Sequence, residues 1–159
     1  MFAKKPEERI GFALDVAKEL SRKGEYRKVV KLCDFIAMQL VDTGMGVLSS
    51  GLPANVLEVF DTKTAALCGL EDELVDQAEK AITASDARTM ETLYEQITYT
   101  RHRKLWAYSD KLQRGEDAVA RLGRAKAYLD LGRFDEARQD IEAAKAPRTQ
   151  KPISVKVSK

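Results

Sequence analysis

Histidine is almost absent from this chain: His102 stands alone, flanked by Arg101 and Arg103. Acid–base catalysis near neutral pH draws most often on histidine, and a single one in a basic turn reads as a surface group. Cysteine is nearly as scarce. Cys33 and Cys68 both sit inside apolar runs, with no CxxC spacing and no neighbouring histidine. They read as buried thiols that pack as small hydrophobes, rather than as a disulfide, a metal pair or a nucleophile. The glycines between Asp42 and Pro53 mark a loop, since no Gly-Lys-Ser/Thr follows them to make a phosphate cradle. No nucleophile elbow is present either. Catalysis, metals and cofactors are therefore not expected.

Long apolar runs are missing too. None approaches the roughly 18 residues of a membrane span, and no apolar stretch of signal length precedes Glu7 and Glu8. A cytoplasmic protein without membrane contact is the expectation. What the chain has is the balance of a helical domain, with 44% hydrophobic and 33% charged residues and only four prolines in 159 residues. A chain of this size buries about two thirds of its unfolded surface, enough for one core without staples. The expected organisation is a single all-α domain over residues 1–146, followed by a flexible basic tail at 147–159.

The net charge of +2 hides a segregation. Residues 55–95 carry ten acids against three cations, residues 96–114 five cations against one acid, and residues 145–159 five cations and no acid. Blocks of this kind attract one another within a fold or offer separate surfaces to separate partners.

Periodicity divides the domain into helices. Ile10, Ala13, Leu14, Ala17 and Leu20 form one stripe after Pro6, which suits an opening turn. Gly24 ends that helix. A second, from about Glu25 to Val41, is apolar almost all round and is expected at the centre of the core. A third is expected from Pro53 to Leu67 and a fourth from Glu71 to Ala84, with Cys68-Gly69-Leu70 as a turn between them and Glu71-Asp72-Glu73 favouring a helix start. Ser85 and Asp86 cap a fifth helix that meets no proline or glycine before Gly115; a kink or break near Thr98 to Thr100 would instead divide it into a second hairpin. Met90, Tyr94, Ile97, Leu105, Tyr108 and Leu112 are its apolar stripe, with Trp106 adjoining it as a core residue.

The stretch from Ala118 to Ala146 is the most telling. Leu122, Ala125 and Leu129 keep a helical spacing, Gly132 breaks it, and Phe134, Ala137, Ile141 and Ala144 resume it. Ala125, Tyr128, the run from Gly132 to Ala137, and Ala144 before Pro147 make this segment resemble a tetratricopeptide repeat. Ala17, Leu20, Gly24-Glu25-Tyr26 and Val29 are a degenerate version of the same pattern. The resemblance implies antiparallel helix hairpins, about seven helices in all, stacked as a right-handed superhelix or an irregular bundle.

It also implies a noncatalytic adaptor, scaffold or chaperone-like protein. Such proteins bind a peptide or helix of a partner in a concave groove lined by the first helix of each pair. Carried onto this chain, the contact residues are Lys18 and Arg22 in the opening pair and Leu122, Lys126 and Asp130 in the closing pair. A cationic groove would suit acidic segments or a free carboxylate, and filling by the chain's own tail or by a second copy of the chain is a further arrangement. The alternative reading is a small nucleic-acid-binding protein. In it Arg101, Arg103, Lys104 and Lys111, in the basic segment 101–114, meet phosphates together with the tail, while Tyr99, Trp106 or Tyr108 stack on bases.

Overall fold

The computed structural model describes residues 6–42 and 54–146; the expected glycine-rich loop and the basic tail lie outside them. The described residues form six α-helices and no strand: α1 (Pro6–Arg22), α2 (Tyr26–Asp42), α3 (Ala54–Thr83), α4 (Ala87–Gln113), α5 (Ala118–Asp130) and α6 (Phe134–Lys145). Each helix packs on the next in sequence, and α1 also packs on α3.

Three tight turns close the pairs α1/α2, α3/α4 and α5/α6, and all three have the same chemistry. The amide N–H of Glu25 donates to the Leu20 carbonyl (2.9 Å), that of Asp86 to Ala81 (2.9 Å), and that of Arg133 to Tyr128 (2.8 Å). This six-to-one bond is the Schellman closure, which requires the residue before the donor to adopt left-handed backbone. Gly24 and Gly132 do so at φ 77° and 78°. Ser85 holds the third such position at φ 56°, where a Cβ is disfavoured. Asp86 then caps α4, its side chain accepting from the Thr89 amide at 3.1 Å.

The expected break at Cys68-Gly69-Leu70 does not occur, and α3 continues through it as one helix of 30 residues. The reason is a contact that local propensity cannot reveal. The Tyr26 ring at the start of α2 lies against Gly69, so that a Cβ there would stand 2.6 Å from the ring. Glu71-Asp72-Glu73 consequently sits mid-helix. The Tyr108 ring of α4 uses Gly123 of α5 in the same way, with only 2.5 Å available. An aromatic ring on a glycine thus joins the first pair to the second, and another joins the second to the third.

Ile10, Leu14, Ala17, Val29, Val30, Cys33, Val59, Leu67 and Ala107 form the main apolar core where α1 to α4 meet. Leu70, Leu74, Ala78, Ala81, Leu93 and Ile97 extend it along the far half of the α3/α4 pair. The α1 stripe is the one periodicity predicts. The expectation of an almost fully buried α2 is corrected, because Phe35 and Met38 are exposed. Tyr94 and Ile82 likewise face outward, and so does Trp106 at 55% exposure, against the expectation of a core position.

Candidate functional site

Along α3, Glu58, Ala65, Asp72 and Glu79 recur every seven residues. Side chains seven apart lie two turns apart on nearly the same side, so these four mark one long face. Each half of that face borders a groove. The first groove, about 530 Å³, lies between α1 and α3 and is lined by Lys18, Ser21, Arg22, Glu58, Asp61, Thr62 and Ala65. Both expected contact residues of the opening pair are there, and both are engaged. Lys18 pairs with Glu58 at 2.6 Å, and Arg22 binds Glu19 on its own helix.

The second groove, about 310 Å³, opens between the far half of α3 and α5. It is lined by Glu71, Asp72, Val75, Asp76, Glu79, Arg101 and Lys126. No direct packing joins α3 to α5 among the described residues. Arg101 of α4 and Lys126 of α5 supply its two cations. Four carboxylates against two cations make this lining acidic, which corrects the expectation of a cationic groove. Glu71 is tied to α4, Asp76 pairs with Lys80 at 3.1 Å, and Lys126 pairs with Asp130 at 2.8 Å. Asp72 and Glu79 have no ionic partner among the described residues and are exposed.

Lys126 is the α5 residue that lines this groove, and apolar side chains flank it along the helix. Val119, Leu122, Lys126 and Leu129 follow one another at three and four residues and so share one face of α5. Leu122 is 51% exposed and Leu129 46%. The expected stripe of the closing hairpin is therefore split. Ala125 is buried, while Leu122 and Leu129, one turn either side of Lys126, stand away from the core. Of the five expected contact residues, the structure brings Leu122, Lys126 and Asp130 together on α5 and places Lys18 and Arg22 on the separate α1/α3 groove. Asp72, Asp76, Glu79 and Leu129 are not among the contact residues expected from the sequence. The acid excess of residues 55–95 was the available signal for three of them.

The basic segment is distributed among carboxylates of other helices. Arg101 Nε donates to Glu71 at 2.6 Å, and Lys104 Nζ, itself buried, donates to the same carboxylate at 2.5 Å. Burial pushes the Glu71 carboxyl up, but the hydrogen bonds from Arg101 and Lys104 outweigh it and hold the group below the usual carboxylate range. Arg103 binds Asp34 of α2 at 2.7 Å, and Lys63 of α3 binds the same residue at 2.6 Å. Lys111 bridges Asp61 of α3 and Asp117, the cap of α5. The four cations thus fasten α4 to its neighbours instead of forming a free row.

Asp140 of α6 repeats the device. It is buried and accepts from Arg121 at 2.9 Å and Arg124 at 2.7 Å. Burial opposes its ionisation, and the two guanidinium groups prevail, keeping its carboxyl below the ordinary range.

The aromatic residues near the basic segment divide. Tyr108 is half-buried on Gly123, and its hydroxyl lies 3.7 Å from the Cys68 sulfur. Burial first, and that sulfur second, push its hydroxyl well above the usual tyrosine range and suppress its ionisation. Tyr99 and Trp106 are exposed and meet edge to face at 6.4 Å, with His102 6.0 Å from Trp106 and Arg103 over the Tyr99 ring at 5.7 Å. Cys33 is buried, which pushes its thiol up to about 11 and keeps it protonated at neutral pH.

Among the described residues, no three His, Cys, Asp or Glu side chains are placed to hold a metal ion, and no helix is long and apolar enough to cross a membrane. No family model, curated protein or solved structure matches this chain.

Proposed function

We propose that the chain is a noncatalytic adaptor whose stacked helix hairpins receive a segment of a partner protein, in the manner of tetratricopeptide proteins. The observation that carries the reading is the α3/α5 groove, lined on α3 by Asp72 and Glu79, which lack ionic partners among the described residues, and on α5 by Lys126, with the exposed Leu122 and Leu129 one turn either side of it. Exposed leucines rimmed by charge are the ordinary composition of a recognition surface. The three alike turns and the packing of α3 on both α1 and α2 support the stacked arrangement. The middle pair departs from regularity: helices of 30 and 27 residues together exceed a 34-residue repeat. The acidity of the groove favours a cationic partner segment over the acidic one that the sequence suggested.

The exposed Tyr99–Trp106 pair, with Arg103 beside it, supports a second reading in which α4 stacks on nucleic acid. Capture from a lysate of the source cells by the full-length chain, with and without nuclease, separates the two. The adaptor reading expects a protein partner that persists after nuclease and at moderate salt. Loss of all captured protein on nuclease treatment would overturn it in favour of nucleic acid.

A further inference from the structure

The α3/α5 groove has an acidic α3 side, exposed leucines stand beside its α5 side, and this chain contains a segment that suits both. Residues 147–159 carry Arg148, Lys151, Lys156 and Lys159 and no acid. From Ile153 onward the sequence alternates, with Ile153, Val155 and Val157 separated by Ser154 and Lys156. An extended chain with that alternation presents apolar groups to one side and polar groups to the other. The groove offers Asp72, Asp76 and Glu79 on α3, and Leu122 and Leu129 stand exposed one turn either side of Lys126, its lining residue on α5.

Connectivity brings the segment to the place. Asp140 of α6 lies opposite Arg121 and Arg124 of α5, so the two helices run antiparallel and Ala146 lies near the beginning of α5. Lys126 is eight residues into α5, about 12 Å along its axis. Passing halfway around a helix about 10 Å in diameter adds about 16 Å. The thirteen residues of 147–159 span about 43 Å when extended, which covers the path with length to spare.

We propose that residues 147–159 occupy the α3/α5 groove of their own chain, with the lysines against the α3 carboxylates and Ile153, Val155 and Val157 against the α5 leucines. A tethered segment of this length acts at an effective concentration on the order of millimolar. Any partner segment that uses the groove must displace it. The contact stands on this chain alone and holds whether or not a partner protein exists.

Zero-length carboxyl–amine crosslinking of the full chain, followed by peptide mapping, tests it. Mixing light and heavy-isotope chains tells links within a chain from links between chains. The expected result is within-chain links from Lys151 or Lys156 to Asp72, Asp76 or Glu79, several-fold more abundant than links to Glu91 and Glu95, which are exposed on α4. Those links decline several-fold at about 0.5 M salt, where exposed charges are screened. The variant D72K/D76K/E79K loses them, and combining it with K151E/K156E/K159E restores links between the same positions. The three α3 positions are exposed, so helical circular dichroism should be unchanged in both variants. Links between chains only, links spread evenly over exposed carboxylates, or no links from the segment would each overturn the proposal.

Discussion

The Tyr26 ring occupies the space where a side chain at Gly69 would begin, 2.6 Å from the position of a Cβ. A glycine inside a 30-residue helix costs about 1 kcal/mol against alanine, so on propensity alone Gly69→Ala should stabilise α3. The ring reverses that sign. Gly69→Ala is expected to destabilise by about 1–3 kcal/mol, the usual range for overpacking. Gly11→Ala is the control, because nothing lies within 4 Å of a Cβ there, and it should stabilise by about 0.5–1 kcal/mol. Chemical denaturation of both variants checks the pair.

Ser85 is the one left-handed turn residue of the three that is not glycine. Ser85→Gly removes a Cβ penalty of about 1–2 kcal/mol, partly offset by the greater freedom of glycine in the unfolded chain. A net gain of about 0.5–1 kcal/mol in unfolding free energy is expected. An unchanged or lowered value would show that the turn is not strained.

Glu71 is a buried acceptor for Lys104 and Arg101. Removing it leaves the Lys104 ammonium buried without a counter-charge, and Glu71→Ala should cost about 3–5 kcal/mol. Its pH dependence follows from linkage. The folded-state carboxyl titrates below its unfolded value, so the unfolded chain binds the proton first as pH falls. The stability that ionised Glu71 contributes is complete above the unfolded value of about 4.3 and is lost as pH falls through the depressed folded value. Asp140 behaves alike, from an unfolded value of about 3.9. Melting temperatures measured from pH 7 down to pH 3 should fall more steeply for the native chain than for Glu71→Gln.

Trp106 is a measure of how exposed α4 is. At 55% exposure its removal should cost little, with Trp106→Ala within about 1 kcal/mol of the native chain. Leu74→Ala, at a fully buried position, should cost about 2–5 kcal/mol. Denaturant titration of the two variants separates a surface tryptophan from a core one, and iodide should quench the Trp106 fluorescence readily.

Local chemistry made much of the fold legible. Gly24 and Gly132 end helices because only left-handed backbone closes those turns, and Ser85-Asp86 marks the start of α4 through its cap. The 3.6-residue period located the buried face of α1 and the uninterrupted course of α4. Gly69 was misread as a turn because its reason lies in a ring on another helix. The same kind of distance hid the partners of Arg101, Arg103, Lys104 and Lys111. Their carboxylates sit on other helices, so a basic row in the sequence becomes a set of interhelical ties in space. The groove was half legible. Periodicity grouped Leu122 with Leu129, but the resemblance made only Leu122 a contact residue, and only the tertiary arrangement brings Lys126, between them, to the α3 acids.

The central claim is that the α5 leucines of the α3/α5 groove hold a partner protein. Its most direct test is quantitative capture of partners by the full-length chain against Leu122→Asp/Leu129→Asp, with thermal unfolding of both measured in parallel. These side chains are exposed, so the melting temperature should stay within a few degrees of the native value, while the amount of captured partner falls at least tenfold, as expected when interface anchors are lost. Equal capture by the two chains at unchanged stability would contradict the account.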